Sequence, residues 1–214
     1  MKVLAFNGSP RKNGTTATLL NKVLEGAASQ GAETEFVQLN QLNMKGCQAC
    51  FSCKKRGGKS YGKCALKDDM TELYGKIEQA DAFVLGSPIY FGYVTSEAKM
   101  FIDRMFPYLN FGNYSSNFPK KIPIGLVYTM GADDERGKMF KEPLRFNKMI
   151  FSMLFGSAET LFSMDTMHVE DYSKIVADAL EPMVEKKLKH QREVFPQDCE
   201  EAFEMGAKFG RATE

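Results

Sequence analysis

Short apolar stretches that are rich in β-branched and aromatic residues recur along the chain and alternate with segments of helical periodicity. Each stretch has the length and composition of a buried β-strand. The stretches that predict strands are residues 3–6, 35–39, 82–85, 122–128 and 159–162.

The segments between these strands predict helices from the spacing of their apolar residues. Leucine, valine and alanine side chains within residues 17–28 fall on one helical face, and Gly31 is placed to end that helix. A second helix is predicted to begin at Asp68 or Asp69 and to continue through Ile77. Both helices lie where a connection between two parallel strands is needed.

The second half of the chain predicts further helices. One covers residues 95–105 and another residues 140–154, where Pro143 is placed near the helix start because proline disrupts a helix interior. The strongly charged C-terminal part predicts one or two helices that bend or break near Pro182 and Pro196. Their mixed charges favour a solvated face, and contact between subunits is the alternative.

Alternation of strands and helices implies right-handed crossovers and a parallel sheet that is covered on both faces. Five strands fit the flavodoxin-like three-layer order 2-1-3-4-5, in which ligands bind beyond the carboxyl ends of the strands. We expect one flavodoxin-like domain over residues 1–165 with a cysteine-rich insertion at 44–67. Residues 166–214 are predicted to form a C-terminal helical extension of the same domain.

Composition and charge narrow the classes of protein that remain. The chain has 214 residues, 43% of them hydrophobic, and its 28 Lys and Arg against 27 Asp and Glu leave a net charge of +1. So balanced a charge predicts neither nucleic-acid nor membrane-surface binding. The apolar stretches are too short to span a bilayer and no signal peptide is evident, so we expect a cytoplasmic protein.

The loop after the first strand is a candidate phosphate site. It begins at Gly8 and leads directly into a helix, whose exposed amides and dipole favour an anion. Ser9, Thr15 and Thr16 add hydroxyl groups, and Arg11 adds a charge-assisted donor. The loop matches neither the dinucleotide fingerprint nor a Walker loop. A pair of turns followed by a threonine N-cap is the alternative interpretation.

Two further loops lie at the same predicted edge of the sheet. The loop after the third strand combines Pro88 with three apolar or aromatic side chains, Ile89, Tyr90 and Phe91, which suit the wall of a site for a planar ligand. The alternative is that these side chains only cover the core. The loop after the fourth strand, which contains Thr129, Met130 and Gly131, is predicted to hold the other edge of that ligand.

Four of the five cysteines lie within 18 residues of one another, which indicates metal ligands or redox chemistry in a reducing compartment. Cys47, Cys50 and Cys53 have the spacing that binds one iron–sulfur cubane, and Cys64 is the candidate fourth ligand after the basic segment 54–63. Zinc and a loop of free thiols stay open as alternatives.

These three features together resemble the NADPH-dependent FMN reductases of flavodoxin-like fold, and specifically their iron–sulfur flavoprotein branch. The resemblance covers residues 1 to about 132, and the interval before Cys64 is longer than in that branch. It implies that Pro88–Phe91 line the isoalloxazine of FMN and that a cluster binds the four cysteines. The residues that it places around the FMN phosphate are Ser9, Arg11, Asn13, Gly14, Thr15 and Thr16.

The resemblance predicts an FMN-dependent NAD(P)H oxidoreductase that reduces a quinone, a flavin or a similar small acceptor. The alternative is an electron carrier that passes electrons from a ferredoxin-like donor through a [4Fe–4S] cluster to FMN, and a third hypothesis is a zinc-stabilised binding module without flavin. Since the cofactor supplies the chemistry, no catalytic acid or base is assigned.

We also expect a homodimer or homotetramer that uses the aromatic residues of segments 90–93 and 106–111. Arg104 is assigned to a surface or subunit contact rather than to catalysis. His168 and His190 are isolated in the sequence and are assigned no chemistry.

Overall fold

A computed structural model describes residues 1–211 and contains one mainly parallel β-sheet. Its five long strands pair in parallel in the order β2-β1-β3-β5-β6, which confirms the predicted strand order and fold class. A sixth strand, β4, forms a short antiparallel hairpin with the end of β3. The strands are β1 (Lys2–Asn7), β2 (Glu33–Gln38), β3 (Ala82–Tyr90), β4 (Tyr93–Val94), β5 (Ile122–Thr129) and β6 (Gly156–Ser163).

Helices cover both faces of the sheet, as in a three-layer α/β fold. They are α1 (Thr15–Ser29), α2 (Met70–Gln79), α3 (Ser96–Asp103), α4 (Asp134–Phe155), α5 (Glu181–Glu193) and α6 (Phe195–Gly210). Alternate residues of β1 separate the two cores: Val3 and Ala5 face α1 and α6, whereas Leu4 and Phe6 face α2, α3 and α4. No helix within residues 1–211 is long and apolar enough to cross a membrane.

Helix α4 begins six residues before the predicted start at residue 140, so Pro143 lies in its interior and our placement of that proline was wrong. The side chain of Asp133 caps the helix by accepting a hydrogen bond from the backbone N–H of Arg136 at 3.0 Å. This cap, with acidic residues in the first turn, stabilises an additional N-terminal segment that the apolar pattern does not reveal.

The last helix, α6, is part of the core rather than a solvated surface. It packs lengthwise against α1, and glycines allow the two backbones to approach closely. A Cβ atom on Gly206 would lie 1.8 Å from the carbonyl oxygen of Val23, and one on Gly26 would lie 2.0 Å from that of Phe203. The α1–α6 contact therefore admits no side chain at these two positions.

We expect Gly206→Ala to lower the free energy of unfolding by roughly 1–3 kcal/mol, because the added methyl group overpacks the α1–α6 contact. Gly75 is the matched control, since it lies within α2 and a Cβ atom there would meet nothing within 4 Å. Gly75→Ala should raise the free energy of unfolding by up to about 1 kcal/mol. Urea unfolding of the two variants measures both values, and equal effects would contradict the proposed packing.

Candidate functional site

One cavity of about 150 Å³, called here the loop cavity, lies where β1, β3 and β5 end. Eleven of the thirteen residues that the sequence predicts as cofactor ligands line it. They are Ser9, Arg11, Gly14, Thr15, Thr16, Pro88, Ile89, Tyr90, Thr129, Met130 and Gly131. Asn13 lies instead in an adjacent cavity of about 560 Å³ that also contains Arg11 and Gly14.

The first loop (residues 8–14) leads into α1 with the features of an anion site. The N-cap residue is Gly14, which has no side chain to accept hydrogen bonds from the first-turn amides. Arg11 lies beside them and donates one guanidinium N–H to the carbonyl oxygen of His168. Because a guanidinium carries five N–H donors, several stay available to a ligand.

Buried polar contacts hold this loop in place. The Asn7 side chain accepts from the backbone N–H of Ser9 at 3.0 Å and donates to Gln38 at 2.7 Å. Gln38 in turn donates to the carbonyl oxygen of Ser9 at 2.6 Å. Such a closed network preorganises the loop before any ligand binds.

Thr16 lines the cavity in a different role from the one predicted. Its hydroxyl lies 2.8 Å from the hydroxyl of Thr129, and both side chains are almost fully buried. The bond joins the start of α1 to the end of β5. The hydroxyl of Thr16 thus already has one partner, whereas the first-turn amides of α1 have no side-chain acceptor.

The first part of the second loop (residues 86–92) belongs to β3, and residues 86–88 pair with β5, so the strand ends five residues later than predicted. Pro88, Ile89 and Tyr90 form one wall of the loop cavity, as the sequence predicts. Phe91 does not, because it lies at the hairpin tip with φ of 50° and its side chain is fully exposed. The adjacent Gly92, with φ of 85°, completes the tight turn that directs Phe91 outward.

The carbonyl groups of the third loop (residues 130–132) all accept hydrogen bonds from other parts of the chain. The carbonyl oxygen of Met130 accepts from the backbone N–H of Thr166 at 3.0 Å, and that of Ala132 accepts from Asp165 at 2.8 Å. Gly131 accepts from the side chain of Lys187 at 2.6 Å. Peptide bonds here are trans, so the N–H groups of Gly131 and Ala132 point the opposite way.

No acceptor for these two N–H groups lies within residues 1–211. They therefore form a donor edge that suits an oxygen or a developing negative charge on a bound ligand. Gly131 lines the loop cavity together with the apolar residues Pro88 and Ile89 of the second loop, a combination that suits a planar heteroaromatic molecule.

Lys187, which supports the third loop, was not identified from the sequence. Its side chain is only 1% exposed and contacts Asp165 at 2.7 Å. It belongs to the basic run 186–189, in which nothing in the local pattern distinguishes a buried lysine from its exposed neighbours. The third loop and the segment that begins at Asp165 are thus held together by a buried charge pair.

Thr166, Met167 and His168 also line the loop cavity and were not predicted. They follow β6, and they reach the site because that strand ends beside β5. His168 had been assigned no chemistry, since no metal-ligand partner lies near it in sequence. Its place in the cavity wall follows only from the tertiary structure.

A second cavity of about 180 Å³, called here the cysteine cavity, brings together Cys47, Cys50, Cys53 and Cys64. Left-handed backbone at Ala49 and Phe51 turns the cysteine run into a compact loop. Within residues 1–211 no three His, Cys, Asp or Glu side chains converge closely enough to hold a single metal ion. A cubane cluster carries its thiolates on separate iron atoms, so it requires a wider set of ligands than one ion does.

The surroundings of the cysteines affect their pKa values differently. Burial raises the pKa of Cys53, and nearby Lys54 opposes that shift. Hydrogen bonds from Ser52 lower the pKa of Cys50. The amine of Lys54 donates to the carbonyl oxygens of Phe106, Pro107 and Leu109, which fastens the cysteine loop to the segment after α3.

Arg104 lines the cysteine cavity and is only 1% exposed, so our assignment of this residue to a surface contact was wrong. Its guanidinium makes two hydrogen bonds to Asp68, at 2.6 and 3.0 Å, and a third to the carbonyl oxygen of Lys45 at 2.7 Å. Burial would raise the pKa of Asp68, but the bonds from Arg104 and from the Lys45 N–H lower it below its usual value. A permanent positive charge therefore lies in the cavity wall.

The fold and the loop cavity define a flavodoxin-like α/β protein with an anion-binding first loop and a site for a planar ligand. The chain belongs to the NADPH-dependent FMN reductase family, whose model matches residues 1–138. This confirms the resemblance noted from the sequence. The segment from Asp165 to Lys187, which completes the loop cavity, lies outside the matched region.

Curated relatives include iron–sulfur flavoproteins of archaea. The chain is 37% identical over 138 residues to one from Methanocaldococcus jannaschii, a match that covers 64% of this chain and 66% of that protein. It is 41% identical over 104 residues to one from Archaeoglobus fulgidus, covering 49% of this chain and 48% of that protein. The matches thus span about half to two thirds of the length of these relatives.

Solved structures share the fold over the whole chain. An NAD(P)H:quinone oxidoreductase from Methanothermobacter marburgensis has a TM-score of 0.66 at 17% identity, covering 100% of this chain and 99% of that one. An FMN-dependent NADH-azoreductase from Bacillus anthracis, solved with FMN, has a TM-score of 0.67 at 11% identity, covering 99% and 100%. At such identities the likeness concerns the fold.

We expect Lys187→Met to lower the free energy of unfolding by about 3–5 kcal/mol, because Asp165 loses its buried cation and retains only the exposed Lys186, whose amine lies 3.6 Å from the other carboxylate oxygen. The double variant Asp165→Asn with Lys187→Met should be more stable than the single variant. Asparagine is suited to position 165, where φ is 48°. Urea unfolding compares the variants, and a single variant no less stable than the double one would refute the pairing.

Proposed function

We propose that this protein binds FMN in the loop cavity and transfers electrons from NAD(P)H to a small acceptor such as a quinone or a flavin. The proposal rests on one observation: the two ends of the loop cavity differ in their chemistry. One end has an uncapped helix N-terminus with Arg11, and the other has an apolar wall together with free N–H donors. The phosphate of FMN suits the first end, and its planar isoalloxazine ring suits the second.

The phosphate end fits an anion because the first-turn amides of α1 have no side-chain acceptor and the Arg11 guanidinium retains N–H donors beyond the one that binds His168. Gly14 leaves the first-turn amides of α1 without a side-chain acceptor, and no acidic residue lies in that turn. The amides, the α1 dipole and the Arg11 guanidinium would act together on phosphate oxygens. FMN rather than FAD is expected, since the chain has no adenosine-binding fingerprint.

The ring end fits the isoalloxazine. Pro88, Ile89 and Tyr90 supply an apolar surface, and the N–H groups of Gly131 and Ala132 supply fixed donors along one edge. Bound FMN would supply the hydride-accepting chemistry. The residues of the chain bind the cofactor, orient it and stabilise charge, and no side chain is required as an acid or base.

Assembly would place aromatic residues between subunits. Phe91 is fully exposed, and Tyr90 and Phe111 are each 47% exposed. Tyr108, which we had included in the predicted contact, is buried against Phe118 instead and is not available. We propose a homodimer or homotetramer that covers Tyr90 and Phe91 at the second loop and Phe111, which packs against Phe106 at the cysteine cavity.

We expect Arg11→Ala to weaken FMN binding by roughly 1.5–3 kcal/mol, because a charge-assisted bond to the phosphate is lost. The neighbouring cation Lys12 is exposed and does not line the cavity, so Lys12→Ala is the matched control. Fluorescence titration of the apoprotein with FMN measures both affinities. If the two variants bind FMN equally well, the phosphate does not contact Arg11.

A second proposed activity is electron transfer through a [4Fe–4S] cluster in the cysteine cavity, with a ferredoxin-like protein as donor. All four predicted cysteines line that cavity, and the buried Arg104 would offset the negative charge of a thiolate-bound cluster. Exposed basic residues of the insertion would attract an acidic donor. These are Lys55, Arg56, Lys59 and Lys63.

Anaerobic reconstitution with iron and sulfide tests the cluster. We expect the wild-type protein to take up four irons per chain, as a cubane requires, and Cys64→Ser to lose the complete cluster while it retains FMN. Cys199→Ser is the matched control, because Cys199 lies in α6 away from the cysteine cavity. A wild-type protein that binds no iron would exclude this second activity, and binding of zinc alone would favour the zinc-site hypothesis.

A further inference from the structure

His168 lies in the wall of the loop cavity in a defined orientation. Its ring nitrogen Nδ1 is 2.8 Å from the hydroxyl of Tyr172, and the same hydroxyl accepts from the backbone N–H of His168 at 3.0 Å. The carbonyl oxygen of His168 accepts from Arg11. Hydrogen bonds to the backbone of His168 and to its ring therefore fix the orientation of the imidazole.

These contacts favour a proton on the other ring nitrogen, Nε2. The oxygen of Tyr172 already accepts the backbone N–H of His168, so its own proton is available for donation to Nδ1. A neutral imidazole that accepts at Nδ1 carries its own proton on Nε2. No partner for Nε2 lies within residues 1–211, so its N–H stays free to bind a ligand.

The position of the ring depends on Gly131. A Cβ atom on Gly131 would lie 2.2 Å from Nε2 of His168, so the ring occupies the space that any other residue would fill. Nε2 of His168 therefore lies directly against Gly131 in the wall of the loop cavity.

The charges around the ring keep it neutral near pH 7. Partial burial lowers the pKa of His168, the cations Lys187 and Arg11 lower it further, and Asp165 opposes them. A neutral ring with one N–H can donate a hydrogen bond without giving up its proton. Its contribution is then that of a fixed dipole aimed at the ligand.

We infer that His168 donates a hydrogen bond from Nε2 to FMN in the loop cavity and stabilises the negative charge that FMN gains on reduction. The inference rests on the proposed function. When FMN takes a hydride from NAD(P)H, it gains two electrons and one proton, NAD(P)⁺ is released, and one net negative charge is added. A preorganised donor stabilises that charge more than it stabilises neutral oxidised FMN.

The test compares the dissociation constants of oxidised and reduced FMN, which do not depend on turnover. In His168→Leu, reduced FMN should lose roughly tenfold more affinity than oxidised FMN, because hydrogen bonds to charged groups are the stronger ones. That ratio equals a fall of about 30 mV in the two-electron midpoint potential. His168→Gln, which keeps an N–H donor at a similar reach, should restore most of the difference.

Two further variants separate this role from a structural one. His190→Leu removes the other histidine of the chain, which does not line the cavity, and should leave both dissociation constants unchanged. Gly131→Ala should displace the imidazole of His168 and lower the two-electron midpoint potential of bound FMN, as His168→Leu does. The double variant Gly131→Ala with His168→Leu should lower the midpoint potential no further than either single variant. A fully additive decrease in the potential would contradict the contact between the two residues.

The outcomes distinguish this inference from the proposed function. If the wild-type protein binds no FMN, the proposed function fails and the inference fails with it. If it binds FMN and His168→Leu weakens both redox states equally, or neither, only the inference is overturned. An equal loss would indicate a contact with the ribityl chain or the phosphate.

Discussion

Parallel pairing of β3 with both β1 and β5 is the constraint on which the site depends. The register pairs Asn7 with Gly86 and Pro88 with Thr129, so three loops that are distant in the chain begin at one edge of the sheet. Direct bonds then join them. The N–H of Gly8 donates to Gly86 at 2.8 Å, and the hydroxyl of Thr95 donates to Gly8 at 2.7 Å. The loop cavity is thus a product of strand order and register.

Each of the two cavities is supported by one buried cation that is paired with a single carboxylate. Lys187 pairs with Asp165 behind the loop cavity, and Arg104 pairs with Asp68 beside the cysteine cavity. Both cations also bind backbone carbonyl oxygens of the segments that form the cavities. Buried ion pairs contribute little net stability because desolvation offsets attraction, so their value here lies in orientation. They hold irregular backbone in one conformation.

Sequence periodicity predicted the central features of the fold because they depend on short-range patterns. Alternating strands and helices, the strand order and the three loops whose residues line the loop cavity follow from runs of apolar residues and from turn chemistry. The predicted start of α4 was six residues too late, because the first turns of this helix are stabilised by the cap at Asp133 rather than by an apolar face. Phe91 was wrongly assigned to the cavity wall, because the direction of a hairpin tip depends on φ at Phe91 and Gly92.

The sequence alone determined the class of fold, the clustering of cysteines and the family to which these motifs belong. Only the tertiary structure decided that Lys187, Arg104 and His168 belong to the two sites. Each of these residues lies in a charged or isolated stretch whose local pattern is that of a solvated surface. Their burial and partners arise from contacts across 22 to 157 positions of the chain, and no local pattern encodes those contacts.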